Sequence, residues 1–263
     1  MLIKRIFAVA GMIAMAACAT GPKEPVTGLK SIGVVSALGE HFDMLSIGTT
    51  VFNNSDGVGD ISDWKINDLV IESVNAELRG RYDLVAVDYP SAEINAEARD
   101  KFTGAWIEDT KSKISEMLRD KLKPSSGSAP DAYLIILPAS YPTAFRGYPT
   151  FVDVGMYSSS LLGDRRSYIY VSAQMALVDA RTFAVLRKQG LRSTYQSADM
   201  TKRYKNDGFP YWRIDSSVWA RDFDSLTEAQ KAAIKTAVEN YVKDATPNTL
   251  HMIGLIPLET PSN

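Results

Sequence analysis

The sequence contains a single cysteine, Cys18, among 263 residues. An intrachain disulfide is therefore excluded, and the unpaired cysteine needs another explanation, such as a partner chain, a reactive thiol or a modification. Histidine is almost as rare, with only His41 and His251, so a Ser-His-Asp site would use one of these two unless a lysine served as the base. The sequence also lacks the glycine-rich nucleotide loops, the nucleophile elbow and the metalloprotease zinc signature. No familiar motif assigns a reaction or a cofactor.

A strong charge of either sign is missing as well. The 29 Lys and Arg residues are balanced by 31 Asp and Glu residues, for a net charge of -2. Without residues 1–17 the chain would lose Lys4 and Arg5 and keep 27 basic residues, for a net charge of -4. Because binding to nucleic acid depends on clustered cations that neutralise phosphates, we predict no nucleic-acid partner.

A hydrophobic run long enough to span a membrane is also lacking. The longest apolar stretch near the start, residues 6–17, has about a dozen residues, whereas a transmembrane helix needs roughly 20. It follows two basic residues and ends in two alanines directly before Cys18. A positive start, a short apolar segment and small residues at its end are typical of a signal peptide, which we predict over residues 1–17.

The end of this segment, Met15 to Cys18, resembles the lipobox of bacterial lipoproteins, although Met15 stands where leucine is usual. The resemblance implies cleavage after Ala17, a diacylglyceryl thioether on Cys18 and acylation of the new amino group. Several acyl chains anchor firmly, because each buried methylene contributes about 0.8 kcal/mol and a single chain binds only marginally. Ala19, in place of the aspartate that often retains lipoproteins in the inner membrane, favours an outer-membrane anchor facing the periplasm. The alternatives are an ordinary secretory peptide and an uncleaved anchor.

The remaining chain is predicted to form one α/β domain, a mixed sheet flanked by helices, over residues 29–256. A flexible tether precedes it over 18–28, and a disordered tail follows over 257–263. Strand patterns cover residues 30–37, 45–52, 82–87, 132–137, 151–158, 167–179 and 183–192. Helical patterns begin at Asp63, cover residues 106–122, and run from a Ser225 cap to Pro247, while residues 53–60 and 199–224 are predicted to be irregular.

Three phrases of the sequence carry a resemblance to known proteins: NDLVIESVNAELRGRYDLVAV, DAYLIIL and AQMALVDARTFAVL. They are similar to the helix–turn–strand unit, the next strand and the hairpin of periplasmic lipoproteins of the curli-secretion and penicillin-binding-protein-activator type. The resemblance covers residues 29–245 and implies a domain resembling an anticodon-binding domain that works by protein contact, in assembly or activation. It transfers no functional residue except Cys18 as the lipid site.

One candidate for chemistry is the group Glu40, His41 and Asp43, which follows the first predicted strand. Ligands in α/β proteins often bind at strand ends, so these side chains could hold a metal or act as an acid–base pair in an envelope hydrolase. The alternative is a polar turn between two strands.

Candidate residues for contact with a protein partner are Arg165 and Arg166, in a predicted hairpin turn, and Tyr211, Trp212 and Trp219, in irregular chain. Exposed Tyr, Trp and Arg are common anchors of protein interfaces. The alternatives are solvated turn charges and a small core beneath a loop. Our leading interpretation is a non-enzymatic envelope lipoprotein with a membrane and an envelope protein as partners. The other interpretations are the hydrolase and a lipid- or glycan-binding module, which would need an apolar or aromatic-lined pocket.

Overall fold

The computed structural model describes residues 24–48, 54–102, 110–125, 127–141, 151–161, 164–193 and 211–257. The strands in these ranges are β1 Ser31–Ser36, β2 His41–Ile47, β3 Ser55–Asp60, β4 Asp83–Val85, β5 Val87–Asp88, β6 Lys123–Pro124, β7 Ala132–Pro138, β8 Ser140–Tyr141, β9 Phe151–Leu161, β10 Asp164–Asp179, β11 Val185–Gly190 and β12 Tyr211–Ile214. The helices are α1 Ile66–Leu78, α2 Ser91–Phe102, α3 Thr110–Leu118 and α4 Glu228–Ile253.

The main sheet is mixed and has ten strands within the described ranges, built along the order β3-β2-β9-β10-β7-β1-β4. Strand β1 runs parallel to β4 and β7, and β2 runs parallel to β9. The long strand β10 joins two halves of the sheet: its first half pairs with β9 and β12, and its second half pairs with β7 and β11. The predicted α/β class is confirmed, whereas the likeness to an anticodon-binding domain stays a prediction.

Helices cover both faces of the sheet. One hydrophobic core lies between the sheet and helices α1 and α4, and a second lies between the opposite face and helices α2 and α3. Alternate side chains of β10 contribute to the two cores: Met175 and Leu177 point into the first, and Ala176 and Val178 into the second. This alternation is what the period-two pattern of the sequence predicts. No helix in the described ranges has the length and apolarity needed to cross a membrane.

Strands β2 and β3, which form the first hairpin, differ from the prediction. Strand β2 begins at His41 rather than at Leu45, and β3 occupies residues 55–60, which we expected to be a loop. The Asp and Gly residues of this segment have low strand propensity, but β3 is paired with β2 along its own whole length. Pairing therefore overrides local preference here.

The helices of the first half of the chain also differ from the prediction. Asp63 lies in a 3-10 turn, and α1 begins at Ile66 after Lys65 adopts a left-handed backbone with φ of 54°. Helix α2 was not predicted at all, and α3 begins at Thr110. Residues 106–109 of the helix predicted over 106–122 lie outside the described residues.

Helix α4 begins and ends later than the sequence suggested. Its capping box is formed by Thr227 and Gln230 rather than by Ser225 and Glu228. The helix also continues through Pro247 to Ile253, although proline lacks the N–H that an interior position needs. Burial of the last turn on the main core offsets that loss.

The candidate contact residues lie on more regular structure than expected. Arg165 and Arg166 belong to β10, where they pair with Ser160 and Ser159 of β9 rather than forming a turn. Tyr211 and the residue after it open strand β12, in a region that we expected to be irregular.

Candidate functional site

A fully buried carboxylate, Asp153 of the interior strand β9, lies beyond the C-terminal end of strand β1. Both of its oxygens accept the backbone N–H of Gly39, at 3.0 and 2.9 Å, and Oδ2 also accepts from Nδ2 of Asn95 at 2.9 Å. The guanidinium of Arg99 donates to the same oxygen at 3.1 Å. Asp153 has φ of +65°, a left-handed backbone that aspartate tolerates better than most residues. This conformation stores about 1–3 kcal/mol of strain, which the surrounding contacts must offset.

A second carboxylate shares the same arginine. Asp43 on β2 lies 3.5 Å from Nη2 of Arg99, and its side chain is 19% exposed. Asp153 has no exposed side-chain surface, and Arg99 is about one-third exposed. We call Asp43, Asn95, Arg99 and Asp153 the carboxylate cluster; it ties β2 and β9 to helix α2.

Burial dominates the protonation behaviour of this cluster. It raises the pKa of Asp153 above its usual value, although hydrogen bonds from Asn95 and Gly39 and the charge of Arg99 act in the opposite direction. Burial also raises the pKa of Asp43, against the lowering effect of Arg99 and with a further rise from the charge of Asp153. Both carboxyl groups therefore hold a proton more readily than an exposed aspartate does.

The aromatic side chain next to the cluster is equally buried. Tyr170 of β10 stacks on Phe151 with ring centroids 4.4 Å apart, and its hydroxyl has no hydrogen-bond partner among the described residues. Burial, together with the charges of Asp43 and Asp153, raises its pKa well above the ordinary tyrosine value. Gly155 leaves room for this hydroxyl, because a Cβ at that position would clash with it and with the carbonyl oxygen of Asp43.

A network of neutral groups fixes the chain that leads into the cluster. Oδ1 of Asn67 accepts from the hydroxyl of Ser36 and from the N–H of Leu38, both at 2.8 Å, and its Nδ2 donates to the carbonyl of Leu38 at 3.0 Å. The hydroxyl of Tyr89 donates to the carbonyl of Ser36 at 3.0 Å. The connection from β1 to β2 is thereby held rigidly, which positions the N–H of Gly39 for Asp153.

The residues predicted for chemistry are only partly brought together. His41 and Asp43 alternate along β2 and so share one face of the sheet, whereas Glu40 is exposed in the connection before the strand. Asp43 faces a guanidinium, so its carboxylate is already engaged by a cation. Within the described ranges, no group of three His, Cys, Asp or Glu side chains is placed to hold a metal ion.

Two of the predicted contact residues, Arg165 and Trp219, form a pair near the start of β10. The guanidinium carbon of Arg165 lies 5.6 Å from the ring centroid of Trp219, within range of a cation–π contact. The hydroxyl of Ser216 donates to the carbonyl of Arg165 at 2.7 Å and holds the two segments together. Arg165 is exposed and Trp219 is half-buried. We call these two residues the Arg165–Trp219 patch.

The other predicted contact residues do not join this patch. Trp212 faces the main core, where it makes an edge contact with Tyr241 and donates from Nε1 to the hydroxyl of Ser193 at 2.6 Å. Tyr211 lies on the other face of the sheet, edge-on to Tyr168. Arg166 is exposed on β10. Their role as contact residues stays a prediction, and Cys18 lies outside the described residues.

Sequence reasoning missed Asn95, Arg99 and Asp153. A signal for helix α2 was present, because Ile94, Ala98 and Phe102 recur every four residues and all three are buried. A signal for Asp153 was also present, since it is the one charge in the apolar run FVDVGMY. Their meeting could not be inferred, because 54 residues separate Arg99 from Asp153.

No family model matches the sequence, and no curated protein matches it. Among solved structures, protein XCC0632 from Xanthomonas campestris, which carries the DUF330 family model, is 11% identical, with a TM-score of 0.35 over 88% of this chain and 87% of its own. Lipoprotein GNA1162 from Neisseria meningitidis is 19% identical, with a TM-score of 0.22 over 65% of this chain and 88% of its own. TM-scores this low carry no argument about family or activity, although one of these two neighbours is itself a bacterial lipoprotein.

Proposed function

We propose that this chain is an envelope lipoprotein, anchored by lipid on Cys18, whose α/β domain acts through contact with another envelope protein. The observation that carries the proposal is the arrangement at the start of the chain: a short apolar segment, two alanines, and the only cysteine. Six residues later, at Glu24, the chain is already part of the folded domain. Lipid on Cys18 would therefore hold the folded domain close to a membrane. Ala19 favours the outer membrane.

The Arg165–Trp219 patch supports contact with a protein. Arginine and tryptophan are the residues that most often dominate interface energies. Here packing on the main core and the cation–π contact order the two side chains, and the Ser216 hydrogen bond fixes the backbone at Arg165, before any partner binds. Less side-chain entropy is then lost on binding, which is worth about 0.5–1.5 kcal/mol for each long side chain.

The patch also lies where a partner can reach it. Arg165 is fourteen residues before Asp179, the last residue of β10. At about 3.3 Å per residue, the strand places the patch roughly 45 Å from its other end. The segment that leads to the lipid meets the domain near that other end, because Arg187 contacts the carbonyl of Glu24 and pairs with Leu177 of β10. A partner could therefore bind the patch without competing with this segment.

Photo-crosslinking in intact bacteria tests the contact. A photoreactive amino acid at Ser217, which is exposed beside the patch, should give one discrete protein adduct, and the same group at the exposed Glu72 of helix α1 should not. The Trp219→Ala substitution should abolish the adduct, because it removes one of the two proposed anchors. Identical adduct patterns at positions 217 and 72 would contradict the proposed contact.

Fractionation tests the anchor separately. The wild-type protein should sediment with outer-membrane vesicles and incorporate a labelled fatty acid. The Cys18→Ser variant should incorporate none, because it has no thiol to carry the thioether. Equal labelling of the two proteins would contradict the assignment of Cys18.

A further inference from the structure

The chain enters the folded domain at a defined place. The carbonyl of Glu24 accepts from Nη1 of Arg187 at 2.7 Å, and the same nitrogen donates to the carbonyl of Ile253 at 3.3 Å. Two residues later, the N–H of Val26 donates to the carbonyl of Gly254 at 2.9 Å, and its side chain packs on the main core. The second half of the predicted tether is therefore fastened to the C-terminal end of α4.

Arg187 pairs with Leu177, two residues before the end of β10. This place therefore lies close to the edge of the sheet where the parallel strands begin, which we call the amino edge. Ser31 opens β1 and pairs with Asp83, the first residue of β4. Ala132, the first residue of β7, pairs both with Ile32 and with Asp179, the last residue of β10. The turn after β10 therefore lies at the amino edge as well.

The segment between the lipid site and this entry point is short. Glu24 is six residues after Cys18, a length that reaches at most about 20 Å when fully extended. As a flexible coil it would span about 13 Å. In contrast, the sixteen residues of β10 extend about 50 Å from the amino edge to Asp164. The segment is therefore too short to let the domain turn over and bring the far end of the sheet to the membrane.

We propose that the amino edge of the sheet is the face that meets the lipid headgroups of the anchoring membrane, and that the Arg165–Trp219 patch points away from that membrane. This orientation rests on the proposed lipid on Cys18. Basic and acidic side chains are both exposed at the amino edge, among them Lys30 and Asp83, so reach rather than charge sets the orientation.

The single native cysteine makes the orientation measurable. Once Cys18 carries lipid, any introduced cysteine is the only free thiol in the full-length protein. Arg181, in the turn after β10, is exposed at the amino edge. Val58 on β3 is 67% exposed and serves as the matched distant position.

The distance of Val58 from the amino edge follows from the register of the sheet. Val58 lies opposite Asp43, which lies beside Gly155, which lies opposite Tyr170. Tyr170 is nine residues before the end of β10, or about 30 Å at 3.3 Å per residue. A label at position 58 should therefore stand well above the headgroups.

The test uses the lipidated Arg181→Cys and Val58→Cys variants, each carrying one fluorophore, in vesicles of phosphatidylethanolamine and phosphatidylglycerol. A nitroxide on the lipid headgroups quenches fluorophores that lie near the membrane surface. We expect several-fold stronger quenching at position 181 than at position 58. Insertion of a long Gly-Ser linker after Thr20 should largely remove the difference, because the domain could then turn over.

The possible outcomes separate the orientation from the anchor. Equal quenching at the two positions, or stronger quenching at position 58, in protein whose lipid on Cys18 is verified by mass would overturn the orientation alone. A mass showing no lipid on Cys18 in protein recovered from membranes would overturn the anchor, and the orientation with it.

Discussion

Loss of the guanidinium of Arg99 should expose how much the carboxylate cluster depends on it. The Arg99→Met substitution keeps most of the apolar stem but leaves Asp153 buried with no cation at 3.1 Å. Breaking a buried ion pair by removing one partner costs about 3–5 kcal/mol. Arg99 is 32% exposed, and Asp153 keeps its hydrogen bonds from Asn95 and Gly39, so we expect a smaller loss of about 2 kcal/mol in the free energy of unfolding.

Urea denaturation of the mature chain with Cys18→Ser measures this loss at neutral pH. A domain of this size should also melt about 4–8 °C lower for a loss of that magnitude. Lys101→Met is the matched control on the same helix, because Lys101 forms a surface pair with Glu97 at 2.7 Å. Such a pair contributes at most about 0.5 kcal/mol.

A double-mutant cycle isolates the pair itself. Asp153→Asn removes the buried charge, so Arg99→Met should cost less in the Asp153→Asn protein than in the wild type. We expect a coupling free energy of at least about 1 kcal/mol, within the range for residues in direct contact. Additive losses, or an Arg99→Met loss no larger than that of Lys101→Met, would refute the reasoning.

The dependence on pH gives the same reasoning a second test. Burial raises the pKa of Asp153 in the folded state, and loss of Arg99 would raise it further. Between the unfolded and folded pKa values the folded state binds more protons, so stability increases as the pH falls through that window. The deficit of Arg99→Met should therefore shrink between neutral pH and about pH 5. A constant deficit would mean that the charge of Asp153 is not its cause.

Two further substitutions, one of them with a matched control, test the packing at Gly155 and the turn after β10. Gly155→Ala should lower the free energy of unfolding by about 1–3 kcal/mol, because its Cβ would clash with the hydroxyl of Tyr170. Gly57→Ala, whose Cβ would meet nothing closer than 3.9 Å, should change it little, and equal urea midpoints would contradict the packing. Asp179→Asn should lower stability by about 1 kcal/mol at neutral pH, because hydrogen bonds from the Thr182 N–H and hydroxyl hold the pKa of Asp179 below its usual value. Because the pKa of Asp179 is lower in the folded state, its charge stabilises the fold at neutral pH, and this stabilisation is lost as the carboxylate is protonated in acid. The variant should therefore lose less stability than the wild type below about pH 4.

Much of the fold was predictable from local periodicity. Helix α1 and strand β10 each bury the residues that their patterns indicated, including Val70, Val74 and Leu177. The hairpin of β10 and β11 was predictable as well, because Asp179 ends one strand with a turn that its own side chain stabilises. Such elements show themselves in the sequence because one face of each is buried over several turns or residues.

The first hairpin and the site were not predictable in this way. Strand β3 is rich in Asp and Gly and becomes a strand because β2 pairs with it. The carboxylate cluster joins Asp43, Arg99 and Asp153, which come from three elements far apart in the chain. A single sequence shows which residues are unusual for their surroundings, as Asp153 is, but not which distant side chain satisfies them.

Lipid on Cys18 is proposed to join this domain to a membrane. Mass spectrometry of the N-terminal peptide, released from protein isolated out of native bacterial membranes, tests it most directly. We predict a peptide that begins at Cys18 and carries the combined mass of a diacylglyceryl thioether and an N-linked acyl chain. A peptide that begins at Met1, or one in which the sulfur of Cys18 is unmodified, would contradict the claim.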